Sequence, residues 1–192
     1  MNAAVARLPR WHPALVCLHW LTAALIALQY ALAQRMGDET RDLLGRFALY
    51  QWHKSVGLTV ALFVVLRLAL RLLLPAPAPA LINIWQRRAA FTAHAGLYLC
   101  LVALPVTGLL MVAAAPIQIP TLYFGWFAVP HPIGPDKATY ELMSALHERA
   151  FDGLLVLGLV HIGAALLHQF VQRDGLMRRM WFRGVAQASR DA

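Results

Sequence analysis

Four long apolar stretches constrain the fold of this 192-residue chain more than any other feature. They cover approximately residues 14–33, 52–74, 89–113 and 146–171. Each has about the 20 residues that a helix needs to cross a hydrocarbon layer about 30 Å thick. The chain is 60% hydrophobic and only 14% charged, too little polar surface to cover a soluble core. The sequence predicts an all-α fold, an integral membrane four-helix bundle forming one domain over residues 1–192.

The first stretch has one alternative explanation. Arg7 and Arg10 precede it, and residues 31–33 have the small-x-small form of a signal-peptide cleavage site. However, the apolar region of a signal peptide has about 7 to 15 residues. This stretch is longer and contains His19 and Trp20. We therefore interpret it as a retained transmembrane helix.

Positive charge is distributed unequally between the two sides that four crossings define. One side carries eleven Arg and two acids, and the other carries six Lys and Arg and seven acids. Because cytoplasmic loops are enriched in Lys and Arg, both termini are predicted to be cytoplasmic. The net charge of +8 divides into +9 inside and −1 outside. The basic composition therefore reflects topology and anionic lipid headgroups, and no nucleic-acid motif competes with this interpretation.

The connections predict further features of the outer side. Residues 42–50 are expected to extend the second helix as a surface helix. The longest loop, residues 114–145, is rich in Pro and aromatic residues, including five prolines between 116 and 135. Such a composition predicts a cap at the membrane interface rather than a tether in water.

Histidine occurs in every predicted helix, where it is costly in lipid and expected to face the bundle interior. In the fourth helix, His147, His161 and His168 are separated by 14 and 7 residues and therefore share one face. Fourteen residues correspond to about 21 Å along a helix axis. One helix can thus present a histidine near each membrane surface.

Predicted depth arranges four histidines in two pairs. His53, at the expected first turn of the second helix, pairs with His147 near the outer surface, and His19 pairs with His161 toward the inner surface. Each pair joins two helices, as the two axial ligands of a planar haem must. The pattern predicts two non-covalent haems b with these four histidines as iron ligands. Gly57, Gly158 and Gly163 lie nearby, and either haem approach or ordinary helix packing explains them.

Other cofactors fit less well. Structural zinc needs four clustered ligands, whereas these pairs lie about 20 Å apart. Neither Cys17 nor Cys100 belongs to the C-x-x-C-H motif of covalent haem attachment. His12 and His131 lie outside the predicted helices and are interpreted as interfacial or hydrogen-bonded side chains.

Two more histidines and two arginines are candidates for the inner site. His94 can replace His19 as a ligand, or donate to a haem propionate or a quinone carbonyl. His168 can donate to a quinone and deliver its proton on reduction. Arg67 and Arg71 can pair with the inner propionates, although snorkelling to lipid phosphate explains them equally well.

The chain resembles the bacterial cytochrome b561 family, which is related to the cytochrome b subunits of nickel-iron hydrogenases and formate dehydrogenases. The matching segments cover all four helices in order: residues 18–21, 52–57, 67–71, 94–98, 103–108 and 146–148, continuing to His161 and His168. The resemblance implies the same two ligand pairs, and a location in the bacterial inner membrane.

The resemblance also implies an activity, oxidation of periplasmic superoxide and reduction of membrane ubiquinone. In that case Lys54 and Arg149, beside the outer ligands, can draw a small anion toward the outer haem. Snorkelling is the alternative for both, and the net −1 on the outer side means that any attraction is local. A second function is a membrane-anchor subunit that relays electrons between a peripheral hydrogenase or dehydrogenase and quinone. A haem-free helical membrane protein is the third.

Overall fold

Four long helices form the framework of the computed structural model, which describes residues 10–38, 42–77 and 83–181. The helices are α1 (Pro13–Met36), α2 (Leu43–Leu73), α3 (Ile84–Ala114) and α4 (Lys137–Leu166). All four are long and apolar enough to cross a membrane, as predicted. Six charges used to predict orientation lie outside the described residues: Arg7, Glu39, Arg41, Arg183, Arg190 and Asp191.

Capping residues define where the helices start. Pro13 occupies the first turn of α1, and the His12 ring accepts a hydrogen bond from the Ala14 N–H. Asn83 forms a capping box with Gln86 at the start of α3. Asp136 accepts from the Thr139 N–H at 2.7 Å and so starts α4.

Two helices extend beyond the membrane-length stretches that hydropathy identified. The expected extension of α2 is present and begins at Leu43, so His53 lies well inside the helix and the first-turn assignment was wrong. The cap at Asp136 starts α4 at Lys137, so the outer connection is shorter than residues 114–145. The first turns of α4 include Lys137 and Glu141, which form an i,i+4 ion pair. Such polar turns are helical without being apolar, so hydropathy does not detect them.

The outer connection contains a two-stranded antiparallel hairpin, an element that the all-α prediction lacked. Strand β1 (Thr121–Tyr123) pairs with β2 (Phe127–Val129). Phe124 and Gly125 between them have positive φ values of 48° and 77°. These left-handed residues allow the Trp126 N–H to donate to the Tyr123 carbonyl and close the turn.

Ser55 of α2 holds this hairpin on the bundle. Its hydroxyl, in a side chain only 1% exposed, accepts from the Phe124 N–H at 2.9 Å and lies 3.0 Å from the Leu122 carbonyl. One turn earlier, the Gln51 side chain donates to the Pro120 carbonyl and accepts from the Leu122 N–H. The aromatic cap therefore lies along α2.

The four helices do not pack equally against one another. The backbones of α1 and α2 are in close contact, as are those of α3 and α4, and α2 also contacts α3. Gly96 and Gly153 allow the close approach of α3 and α4, because a Cβ at each would lie 2.7 Å from Leu157 and 3.3 Å from Cys100. By contrast, α4 meets α1 and α2 mainly through side chains.

The described N-terminal and C-terminal segments meet at one end of the bundle. After α4, a π-helical turn (Leu167–Gln172) leads to a short 3-10 helix (Leu176–Met180). This helix lies against the start of α1, where the Trp11 N–H donates to the Arg179 carbonyl and the Trp20 indole donates to the Met180 carbonyl at 2.8 Å. We call this the inner end, following the charge prediction, and the hairpin end the outer end.

Replacing Ser55 with Ala is expected to loosen the hairpin. The substitution leaves the Phe124 N–H without its buried acceptor, at a cost of about 1–3 kcal/mol. Hydrogen exchange of the Leu122 and Phe124 amides should accelerate, and the melting temperature in detergent should fall. Thr92→Val is the control, because this exposed hydroxyl bonds only within its own helix. Unchanged exchange at both amides would show that Ser55 does not hold the hairpin.

Candidate cofactor site in the helix bundle

The outer pair of predicted ligands lies between α2 and α4. The ring centres of His53 and His147 are 6.4 Å apart, and their planes are inclined by 70°. A metal–imidazole bond is about 2.0 Å long and the ring centre lies about 1.1 Å behind the nitrogen, so two axial imidazoles have centres about 6.2 Å apart. The observed separation fits one iron between the two rings.

The inner pair has the same geometry on different helices. The ring centres of His19 on α1 and His161 on α4 are 6.2 Å apart, with their planes inclined by 80°. Both pairs therefore join helices whose backbones make few close contacts with each other. At Gly158 and Gly163, beside His161, a Cβ would meet no other atom of the described chain within 4 Å. These two glycines are not helix-packing contacts, and they fit a cofactor lying close to the backbone.

Thr107 and Gly108 of α3 hold the ring of His147. Thr107 Oγ1 lies 3.1 Å from His147 Nδ1. A Cβ at position 108 would lie 3.1 Å from His147 Cε1, so the ring lies against the backbone of α3. His147 thus has two polar partners on α3, the Thr107 hydroxyl and the Leu104 backbone.

His53 has different surroundings. Its Nδ1 atom is buried and, within the described part of the chain, has no hydrogen-bond partner. An unpartnered buried imidazole nitrogen is costly unless it binds a metal or an ordered water. The His53 carbonyl also accepts from the Gln29 amide of α1 at 3.0 Å, and Gly57 provides room for that amide. A small apolar cavity of about 70 Å³, lined in part by Gln29, His53 and Leu154, lies beside the ring.

The remaining inner candidates surround the inner pair. His94 is exposed and its ring centre is 5.3 Å from that of His161, about 1 Å less than an iron between them requires. The Arg67 guanidinium lies over the Tyr98 ring at 5.6 Å. Arg71, farther toward the inner end, lies over Trp11 at 4.1 Å. Both arginines therefore have aromatic partners, in addition to any anionic group nearby.

His168 lies in the π-helical turn at the inner end. Its Nδ1 is 2.6 Å from a carboxylate oxygen of Asp174, whose other oxygen accepts from the Leu176 N–H. Burial raises the pKa of Asp174, but these two hydrogen bonds outweigh burial and bring the pKa below its usual value. The carboxylate is therefore charged at neutral pH and orients the imidazole.

The two cations predicted near the outer pair are both engaged in local contacts. Lys54 donates to the Pro120 carbonyl of the outer connection at 3.2 Å. The Arg149 guanidinium is exposed and lies 3.7 Å from the Asp152 carboxylate. His12 and His131 are hydrogen-bonded as predicted, His131 to Gln118 and Thr121.

Several contributing residues were not singled out from the sequence. They are Gln29, Ser55, Thr107, Gly108 and Asp174. Thr107 and Gly108 follow Pro105 in a transmembrane helix, a combination that signals a special position. The partner of Gln29 depends on a tertiary contact, and that of Asp174 on the turn that follows α4.

Paired imidazoles between separated helices of a membrane bundle are the features of a membrane cytochrome b. Comparison with known proteins makes the assignment specific. The chain belongs to the prokaryotic cytochrome b561 family, whose sequence model matches residues 10–183. It is therefore a multi-pass bacterial membrane protein of electron transfer, with haem b as its cofactor.

Curated relatives cover most of the chain. Cytochrome b561 homolog 2 of Escherichia coli (strain K12) is 31% identical over 165 residues, which cover 84% of this chain and 86% of the relative. Cytochrome b561 homolog 1 of the same organism is 28% identical over 171 residues, or 86% and 93% of the two chains. The probable superoxide oxidase CybB of Yersinia pestis is 26% identical over 175 residues, or 85% and 90%.

Histidine variants distinguish the two candidate partners of His161. His19→Ala is expected to lose the inner haem, because the 6.2 Å separation fits an iron. His94→Ala is expected to keep the wild-type haem content, because its ring is too close to His161. Haem quantification per mole of purified protein measures both. Loss of haem from His94→Ala with retention in His19→Ala would assign the ligand to α3 instead.

Proposed function

We propose that this protein binds two haems b, oxidises superoxide at the outer end and reduces ubiquinone at the inner end. The supporting observation is the presence of two imidazole pairs of iron-binding width at different levels of α4, 14 residues apart. This spacing corresponds to about 21 Å along the helix. The proposal includes the bacterial inner membrane as the location and cytoplasmic termini.

The reaction balances when two superoxide ions are oxidised for each ubiquinone reduced. Two superoxide ions each lose one electron and leave as dioxygen, and one ubiquinone takes up two electrons and two protons to become ubiquinol. When bound, haem b supplies the one-electron redox chemistry. The protein holds the ligand rings at fixed positions, draws the anion to one end and supplies protons at the other.

The outer end has features that favour a small anionic donor. Lys54 and Arg149 follow His53 and His147 by one and two residues, so both cations lie at the same level of the bundle as the outer pair. Their contacts with Pro120 and Asp152 hold them there without burying them fully. Local charge of this kind raises the rate of anion association even where the net charge is not positive. The name of the Yersinia relative supports superoxide as the donor.

The inner end has features that favour a quinone. His168 is hydrogen-bonded through Nδ1 to a charged carboxylate, so Nε2 of the neutral ring is an acceptor. After Nε2 takes up a proton from the inner side, it can donate to a quinone carbonyl and pass that proton on. Asp174 stabilises the protonated imidazole between transfers. Arg67 and Arg71 lie on the same helix toward this end and can neutralise propionates of the inner haem.

A superoxide flux tests the donor directly. The purified wild type should show haem reduction under the flux, and ubiquinone should then reoxidise the haem. Superoxide dismutase should abolish the reduction. Lys54→Ala combined with Arg149→Ala should slow the reduction several-fold, less so at high salt, whereas Arg87→Ala near the start of α3 should not.

The same preparation distinguishes the alternatives. Absence of haem reduction under a flux that reduces soluble cytochrome c would exclude superoxide as the donor. Co-purification of a stoichiometric redox enzyme would then favour the anchor-subunit function. Retention of two haems by His53→Ala would contradict the outer ligand pair.

His168→Ala is expected to slow reoxidation of the haem by ubiquinone at least about tenfold, since a positioned acid contributes about 10²–10⁴-fold. Asp174→Asn should slow it less, because the imidazole remains but loses its charged partner. Reduction by superoxide should be unchanged in both. His131→Ala in the outer connection is the control. Equal quinone rates in wild type and His168→Ala would place the quinone elsewhere.

A further inference from the structure

We infer that Thr107 lowers the reduction potential of the outer haem by fixing the tautomer and basicity of His147. The inference rests on the proposed function, in which His147 is an axial ligand of that haem. Thr107 does not touch the iron, so it acts as a positioning residue through the imidazole.

The hydrogen bonds of Thr107 decide which atom carries the proton. Its hydroxyl donates to the Ala103 carbonyl at 2.7 Å, with the Leu104 carbonyl at 3.2 Å as a second acceptor. A threonine hydroxyl has one proton, so toward His147 it acts as an acceptor. We therefore assign Nδ1 of His147, 3.1 Å away, as the donor, and the Leu104 backbone also forms a hydrogen bond with His147. The neutral ring then has its lone pair on Nε2, available to iron.

The surroundings keep this hydrogen bond in place. The side chain of Thr107 is only 8% exposed, so water does not easily replace it. Gly108 brings the ring against the backbone of α3, where a Cβ would lie 3.1 Å from Cε1 and 3.4 Å from Nδ1. The ring cannot move toward α3 or exchange its partner without disturbing the helix. The contact therefore fixes both the direction and the protonation of the imidazole.

The two histidines of the outer pair differ in the hydrogen bonding of their Nδ1 atoms. His53 Nδ1 has no hydrogen-bond partner among the residues that the structure describes, whereas His147 Nδ1 has Thr107. Control of the outer iron by hydrogen bonding thus comes from α3, a helix that supplies neither outer ligand. The hydrogen bond between Thr107 and His147 forms only because α3 and α4 pack against each other.

A hydrogen bond donated by Nδ1–H increases the negative character of the imidazole and strengthens its donation to the metal. Stronger donation stabilises ferric over ferrous iron and lowers the reduction potential. A low outer potential favours electron flow inward, from the donor side to the quinone side. Thr107 thus contributes to the direction of electron transfer.

Potentiometric titration of the purified protein tests this inference. Thr107→Val removes the hydroxyl and keeps the shape, and the outer haem should shift to a more positive potential while the inner haem does not. The titration component missing from His53→Ala identifies the outer haem. Thr107→Ser restores the hydroxyl and should return the potential toward wild type. Thr22→Val is the matched control, a buried threonine whose hydroxyl bonds to its own helix at the Leu18 carbonyl.

An unchanged or lowered outer potential in Thr107→Val would overturn the inference, as would an equal shift in Thr22→Val. Loss of the outer haem from Thr107→Val but not from Thr107→Ser would support it, since the hydroxyl is then needed to hold the ligand. Loss from both variants would overturn it. The proposed function fails on a separate measurement, which is fewer than two haems in wild type or an outer haem retained by His147→Ala.

Discussion

A histidine inside a membrane-spanning helix needs partners for both ring nitrogens, and the rest of this structure depends on that constraint. The hydrocarbon layer supplies no water, so an unpaired polar nitrogen there is costly. In the outer pair, Thr107 lies within hydrogen-bond distance of His147, and the ring centres of His53 and His147 are 6.4 Å apart. In the proposed function, a haem between these rings completes the polar bonding of the bundle.

The packing of the helices maintains the distance between the two histidine rings of each pair. Gly96 and Gly153 bring α3 and α4 together so closely that α3 acts as a backing for the ligand helix. The opposite face of α4 then meets α1 and α2 mainly through side chains, among them both histidine pairs. Without the α3–α4 contact, α4 would lose both its fixed distance from His19 and His53 and the hydrogen bond between His147 and Thr107.

Each end of the bundle is closed by a segment that is not a membrane helix. At the outer end, Ser55 and Gln51 hold the aromatic hairpin along α2. At the inner end, the 3-10 helix returns to Trp11 and Trp20 of the N-terminal segment, and the turn before it places Asp174 beside His168. The two closures have different chemistry, aromatic outside and acid–imidazole inside, which agrees with the different reactions proposed for the two ends.

The sequence by itself determined the four helices and the histidines that meet, because both follow from local regularities. Apolar runs of membrane length predict helices, and a spacing of 14 residues puts His147 and His161 on one face. Only the tertiary structure decided how the hairpin lies along α2 and which residues of α3 hold His147. Thr107 and His147 are 40 residues apart, and their contact depends on how α3 and α4 dock. Periodicity describes one helix at a time, so it does not predict a hydrogen bond between two.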